Sequence, residues 1–190
     1  GADDVVFDAL SFIGAQDKVT ISNNFAECHH MTWIGVIGQP ELAGPASSTL
    51  IVKGSLVLDP VLNNSFLGTW SFQATSSGQY IEPAGIPFPG KLVFNGNGSW
   101  SVHSDLTVDN ALILQHGDLE FKDIMVRLES LESPTYQIRH LRLGSSSLRL
   151  GHWNLQMSGL TFEGVDADLT FWGSSATFFN VGFGNTLHIH

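Results

Sequence analysis

The stretch from Lys91 to Phe121, KLVFNGNGSWSVHSDLTVDNALILQHGDLEF, constrains the fold more than any other part of the chain. Read in steps of two it gives Leu92–Phe94, Trp100–Val102, Leu106–Val108, Leu112–Leu114 and Leu119–Phe121. Each pair sits in a short apolar/polar alternation, the pattern of a strand with one buried face. The breaks between them are Asn-Gly-Asn-Gly, His-Ser-Asp, Asp-Asn and His-Gly-Asp, which is turn chemistry. None of these breaks has room for a helix of ordinary length. Short strands joined by tight corners, many times over, suit a coiled strand solenoid and not a helix-padded enzyme core.

Composition agrees with that reading. The 190 residues include 20 Gly, 13 Phe and 5 Trp, which favour strands and turns over helices. Charged residues are only 14 %, against a usual quarter, so much of the surface must be Ser, Thr, Asn and Gly, as extracellular β proteins often show. The net charge of −10 is uneven. Residues 1–120 carry Lys18, Lys53 and Lys91 against twelve carboxylates (3 − 12 = −9), and the remainder carries five basic and six acidic residues (5 − 6 = −1). An acidic front repels a phosphate backbone, so nucleic acid is not an expected partner. No run of 18 apolar residues occurs, so no membrane insertion is expected, and the first residues lack the pattern of a secretory signal. Cys28 is the single cysteine; flanked by Phe25, Met31 and Trp33, it reads as a small buried hydrophobe and not a nucleophile.

Elsewhere the chain offers further short strands: around Val5-Val6-Phe7, Val19-Thr20-Ile21, Thr49–Leu58 with a break at Lys53-Gly54, and Trp70–Ala74. Three prolines between Glu82 and Gly90 bar that segment from a central strand and make it a rigid corner. Strand clusters recur about every 20–25 residues, one coil of a solenoid. A longer self-similarity spans about 90 residues. Val-Val-Phe, Leu-Val-Phe and Val-Gly-Phe end at Phe7, Phe94 and Phe183 (94 − 7 = 87; 183 − 94 = 89). Ser48-Thr49-Leu50 matches Ser146-Ser147-Leu148, and Phe72 with Ser76-Ser77 matches Phe171 with Ser174-Ser175. These matches suggest internal repeats over 1–88 and 89–180 of a single domain, 1–190, with a third beginning at 181–190. Phe183, Leu187 and Ile189 would then need a further coil or a stacked subunit, so the chain is expected to be a segment of a longer polypeptide. Between Asp118 and Ser130 the pattern is double: Phe121, Ile124, Met125, Leu128 and Leu131 would suit a helical face, while Ile124, Val126 and Leu128 alternate as a strand. The strand neighbours on both sides favour strand.

Residues able to carry chemistry are scattered. His29 and His30 are adjacent, so on a strand they would point to opposite faces and not share an ion. His188 and His190 share a face but lack an evident third ligand, and Asp166 with Asp168 falls short of the six or more oxygens of a Ca²⁺ site. No metal, cofactor or catalytic group is therefore expected. Arg139, Arg142 and Arg149 form the only basic cluster, with Glu129 and Glu132 nearby in sequence; Arg142, between Leu141 and Leu143, reads as outward. Among the tryptophans, Trp70 and Trp100 share parity with buried positions, whereas Trp172 has the opposite parity to Leu169 and Phe171. Trp172, Arg139 and Arg142 are thus the candidate ligand contacts, the first as a platform for a sugar ring.

Several pieces together resemble the repeats of large secreted surface proteins of Bacteroidetes-type bacteria. They are Asp4–Ala9 with Ser11-Phe12, Cys28-x-x-Met31-x-Trp33, Phe94-Asn95-Gly96 with Gly98-Ser99-Trp100, Asp105–Val108, Leu143–Ser146 and Phe171-x-Gly173-Ser174-Ser175-Ala176-Thr177-Phe178. The resemblance runs in order along nearly the whole chain, although the stretch Leu119–Val126 is more charged than the Leu-Asp-Leu-Asn-Gly run usual there. It implies an adhesin-like β-solenoid linked to type IX secretion, located at the bacterial surface or outside the cell. It implies as partners further repeats, stacked subunits, surface glycans or other surface proteins, and it brings no catalytic residues.

The expected structure is an all-β, right-handed parallel β-helix or solenoid of roughly eight coils, its hand set by the preference of parallel crossovers. Phe7, Leu50, Phe72, Phe94, Val102, Leu106, Val108, Leu112, Leu114, Leu148 and Phe171 should point inward. The expected function is a non-enzymatic extracellular module; the competing expectation is a β-helix that binds or cleaves polysaccharide, for which a base and a cation must meet within reach of one sugar.

Overall fold

A computed structural model describes residues 3–14, 17–22, 24–164 and 166–179, the last six by backbone alone. Among these residues it is all-β without a helix, its parallel strands stacked as a solenoid of about seven turns. Each turn passes through three walls. The first wall holds Val5–Phe7, Met31–Trp33, Leu56–Val57, Gln79–Glu82, the C-terminal parts of Lys91–Val102 and Leu106–Phe121, then Arg139–Arg142 and Leu160–Glu163. The second begins with Lys18–Thr20, Glu41–Gly44 and Asn63–Phe66. It resumes, after the bridge between Phe88 and Val108, with the N-terminal parts of Leu106–Phe121, Met125–Ser133, Ser147–Gln156 and Asp168–Phe179. The third holds Phe25–Cys28, Thr49–Val52, Thr69–Phe72 and the start of Lys91–Val102. It continues through the middle of Leu106–Phe121 and the ends of the later long strands.

Alternation fixes which side chains enter. On the third wall Ala26, Leu50, Trp70, Leu92, Leu112, Leu131 and Trp153 lie in register, one above the next, and from Leu50 onward all are buried. The parallel ladder to their side carries Val52, Phe72, Phe94 and Leu114, with Phe72 and Phe94 stacked at 4.8 Å between ring centroids. One continuous cluster joins these ladders from Phe12 to Leu169. Each buried Leu or Phe contributes about 1.5–3 kcal/mol, so stacked inward rows of apolar side chains stabilise each coil against the next. All eleven residues expected inward are buried or, for Phe7 and Phe171, half-buried against the core.

The corners follow from local chemistry. The proline-bearing segment before Lys91 turns at Ala84 (φ 53°) and Gly85 (φ 78°) and brings Phe88 inward. Gly90 stands so close above Gly68 that a Cβ there would overlap the Gly68 carbonyl, which explains a residue without a side chain. Residues 118–130 are strand on both sides of a turn at Asp123 (φ 54°), so the helical alternative is not taken. Coil length varies from 19 residues (Leu112 to Leu131) to 26 (Val5 to Met31).

The 90-residue repeat does not superpose equivalent places. Leu50 and Phe72 lie on the third wall, whereas Leu148 and Phe171 lie on the second, and Phe7 and Phe94 lie on the first and third. The structural repeat is the coil, and the core crosses residue 88 without interruption. Residues 181–190, with the suggested third repeat and with His188 and His190, lie outside the described residues.

Candidate binding surface

The outward residues of the second wall form columns. Thr107, Arg127, Arg149 and Thr170 stand in register, beside a column of Met125, Ser147 and Asp168. Two arginines one strand spacing apart repel one another, and their surroundings differ. Arg127 Nη1 donates to Asp109 Oδ1 at 3.0 Å, and its guanidinium lies 5.3 Å from the centroid of the Trp172 ring. Arg149 has no ion pair or side-chain hydrogen bond among the described residues. It borders a depression of about 250 Å³ together with Ser147, Asp168, Thr170 and the inward Leu148 and Leu169.

Trp172 owes its position to a mismatch between coils. Leu150 pairs with Phe171 and His152 with Ser175, so Gly151 alone faces Trp172, Gly173 and Ser174. Extra residues of this kind bulge a strand and re-aim its side chains. Gly173 packs onto the Gly151 carbonyl where neither could carry a side chain, and Trp172 is left 46 % exposed. The other four tryptophans are buried. The expected outward aromatic is therefore outward, and the cation–π contact supplies it with a support that parity did not reveal.

The other two expected contacts part company. Arg142 is outward on the first wall, in register with Glu120 and Glu163. Its Nε donates to Glu163 Oε2 at 3.1 Å, its Nη1 lies 3.6 Å from Asp118 Oδ2, and His140 Nδ1 is 3.3 Å away. It lines a shallow depression of about 170 Å³ with Asp118, Glu120, Lys122, Ser99 and Ser101. Arg139 is a correction: it is fully buried and touches no outer surface. Its guanidinium donates to the Ser133 hydroxyl and carbonyl and to the carbonyls of Gln137, Ser158 and Gln156. The loop between Ser133 and Arg139 interrupts the ladder there, and a five-donor cation replaces the missing backbone donors. Burial pulls this guanidinium below its ordinary value. Glu129 and Glu132 do not join Arg142 either: they follow Arg127 and Leu131 onto the outer faces of the second and third walls.

A second grouping lies at the corner between the third and first walls. His29 and His30 are not in a strand, so the opposite-face expectation does not apply to them. Their rings approach edge-on at 4.0 Å, and ligating atoms of Asp4, His29 and His30 all lie within 4.8 Å of one another. Those atoms are, however, already engaged. Asp4 Oδ1 accepts from His29 Nδ1 at 3.0 Å and from the His30 amide at 3.1 Å, and the Ser55 amide donates to His30 Nδ1 at 2.8 Å. An amide donating to Nδ1 leaves the ring proton on Nε2, the opposite of what metal ligation through that nitrogen asks. The cluster reads as a clasp between coils. These amide and carboxylate contacts hold the Asp4 carboxyl below its usual range, the His30 amide first and His29 second. Cys28 beside it is buried, donates weakly to the Ile51 carbonyl at 3.7 Å, and is pushed up to about 11 by desolvation. Asp166 and Asp168 join no group of three possible ligands among the described residues.

Comparison with family models, curated proteins and solved structures finds no match to this chain.

Proposed function

We propose that this chain is a non-enzymatic, adhesin-like module of an extracellular or bacterial-surface protein, a stiff stack of coils that presents ligand contacts on its outer walls. The observation that carries the reading is that five of the eight basic side chains are spent on carboxylates of the chain itself. Lys18 pairs with Glu41, Lys53 with Glu27, Lys122 with Glu120, Arg127 with Asp109 and Arg142 with Glu163. Four of these pairs tie coil to coil and Lys122–Glu120 lies within one coil, and cations bound to carboxylates in this way are not free to act on a sugar as turnover requires. The low charge content and the resemblance to secreted surface repeats support the same reading.

A second reading keeps one observation in its favour. Asp118, Glu120, Lys122 and Arg142 line the same depression on the first wall, the residue types of a polysaccharide-cleaving site. The test is incubation of the purified chain with a glycan panel, followed by assay of every retained polymer for new reducing ends. Retention without product supports the module; turnover that disappears in Arg142→Ala establishes the enzyme instead.

A further inference from the structure

Trp172 is the only described tryptophan at the surface, and three features meet around it. The bulge opposite Gly151 sets the indole outward at the corner of the second wall. Arg127, held by Asp109, braces the ring from two coils away. Two positions before it on the same strand, Thr170 borders an open depression with Arg149, Asp168 and Ser147. A broad apolar ring face with donors and acceptors along the same wall is how proteins hold a pyranose: the C–H face of the sugar packs on the indole while its hydroxyls bond to the polar groups. Arg149 supplies only donors and the Asp168 carboxylate only acceptors, so together they match a hydroxyl group, which is both.

Charge decides which sugars. Residues 121–190 sum to only −1 of the chain's −10, and around Trp172 the two arginines are outnumbered by Asp109, Glu129 and Asp168. A polymer with a carboxylate or sulfate on each unit would be repelled by this surface, whereas an uncharged one would not. We propose that the second wall binds a neutral, hydroxyl-rich polysaccharide, with Trp172 as the stacking platform, Arg149 and Asp168 as the hydroxyl contacts, and Arg127 as the residue that positions the ring. The proposal rests on the reading of the outer walls as ligand-presenting surfaces, and it names the ligand class of one of them.

The experiment is affinity electrophoresis of the whole 190-residue chain through gels containing neutral glucans, mannans, galactans or xylans, with polygalacturonate and an acidic peptide polymer as the charged comparisons. Iodide quenching of tryptophan fluorescence is measured alongside, because Trp172 is the ring that iodide reaches most readily. The expected result is retardation by at least one neutral polymer, with protection of the quenchable fluorescence. Trp172→Ala should weaken retention about tenfold or more, Arg149→Ala should weaken it severalfold, and Lys53→Ala, paired with Glu27 several coils away, should leave it unchanged. Trp172 and Arg149 are exposed, and unchanged thermal unfolding of both variants verifies that folding is intact. Stronger retention by the uronate polymer or the acidic peptide, retention unaffected by Trp172→Ala, or no retention by any neutral polymer overturns the proposal. Release of reducing ends from a retained polymer would overturn the non-enzymatic reading and leave this site standing.

Discussion

Two arginines three positions apart show how little residue type says without orientation. Arg142 is a surface group with water on one side, and exposed pairs of its kind contribute about 0–1 kcal/mol. Arg139 is enclosed, and the carbonyls of Ser133, Gln137, Gln156 and Ser158 have it as a donor. Arg139→Ala should lower stability to urea by about 3–5 kcal/mol, since buried acceptors are orphaned, while Arg142→Ala should change it by less than about 1 kcal/mol. Comparable losses in the two variants would refute the assigned roles. Arg139→Lys should recover only part, because an ammonium cannot reach four carbonyls at once. Cys28 gives a second expectation. With its thiol pushed up to about 11, it should resist Ellman's reagent at pH 8 in the folded protein and react fully in urea. The sign of the linkage follows: the folded state holds the proton more tightly, so the contribution of Cys28 is intact below the unfolded thiol value of about 8.5 and declines as pH rises toward 11.

At the scale of the coil, corners matter as much as strands. The clasp of Asp4, His29, His30 and Ser55 ties the first coil to the next two, and Ser55 continues it by donating to Gln79 Oε1 and accepting from the Tyr80 amide. Asp4 and Glu41 are both held below the ordinary carboxylate range, Asp4 by the His30 amide and His29, Glu41 by the Ser65 hydroxyl and Lys18. A depressed carboxylate stabilises the fold above its unfolded value and loses that contribution as pH falls through the folded one. Amide exchange of the first coils should therefore accelerate as pH drops below the ordinary values of 3.8 and 4.5, after correction for intrinsic rates. In Asp4→Asn the Val5 and His30 amides should already exchange faster at pH 7, with a weaker response to acid. An unchanged pH response in that variant would remove Asp4 from the explanation.

Over the whole molecule, stability is close to a sum of coils and of contacts between neighbours. Phe94 is fully buried between Phe72 and Trp100, whereas Phe7 is half-buried in the first described coil against Phe12 and Trp33. Phe94→Ala should cost about 3–5 kcal/mol, and Phe7→Ala less. Amides of Leu112–Leu114 should outlast those of Val5–Phe7 in hydrogen exchange, because a middle coil opens only when both neighbours are lost. Equal protection along the chain would instead mean all-or-none unfolding.

The alternation of Leu92, Phe94, Trp100 and Val102, and of their counterparts along the chain, determined from sequence alone that the protein is a stack of short strands and which side chains enter it. The burial of Arg139, which the sequence reading places among the ligand contacts, accords with the parity it shares with Leu141 and Leu143. Parity, however, is a property of one strand, and the register between strands is a property of two. Coils of 19 to 26 residues give no constant offset by which to align Leu92 with Leu112 or Trp153 with Ala176. For that reason the sequence matches joined residues of different walls, and the meeting of Asp4 with His30, or of Arg127 with Trp172, could not be read in advance. Those contacts were decided by the tertiary structure, where a two-residue surplus opposite Gly151 and a non-strand corner at His29 set which side chains face each other.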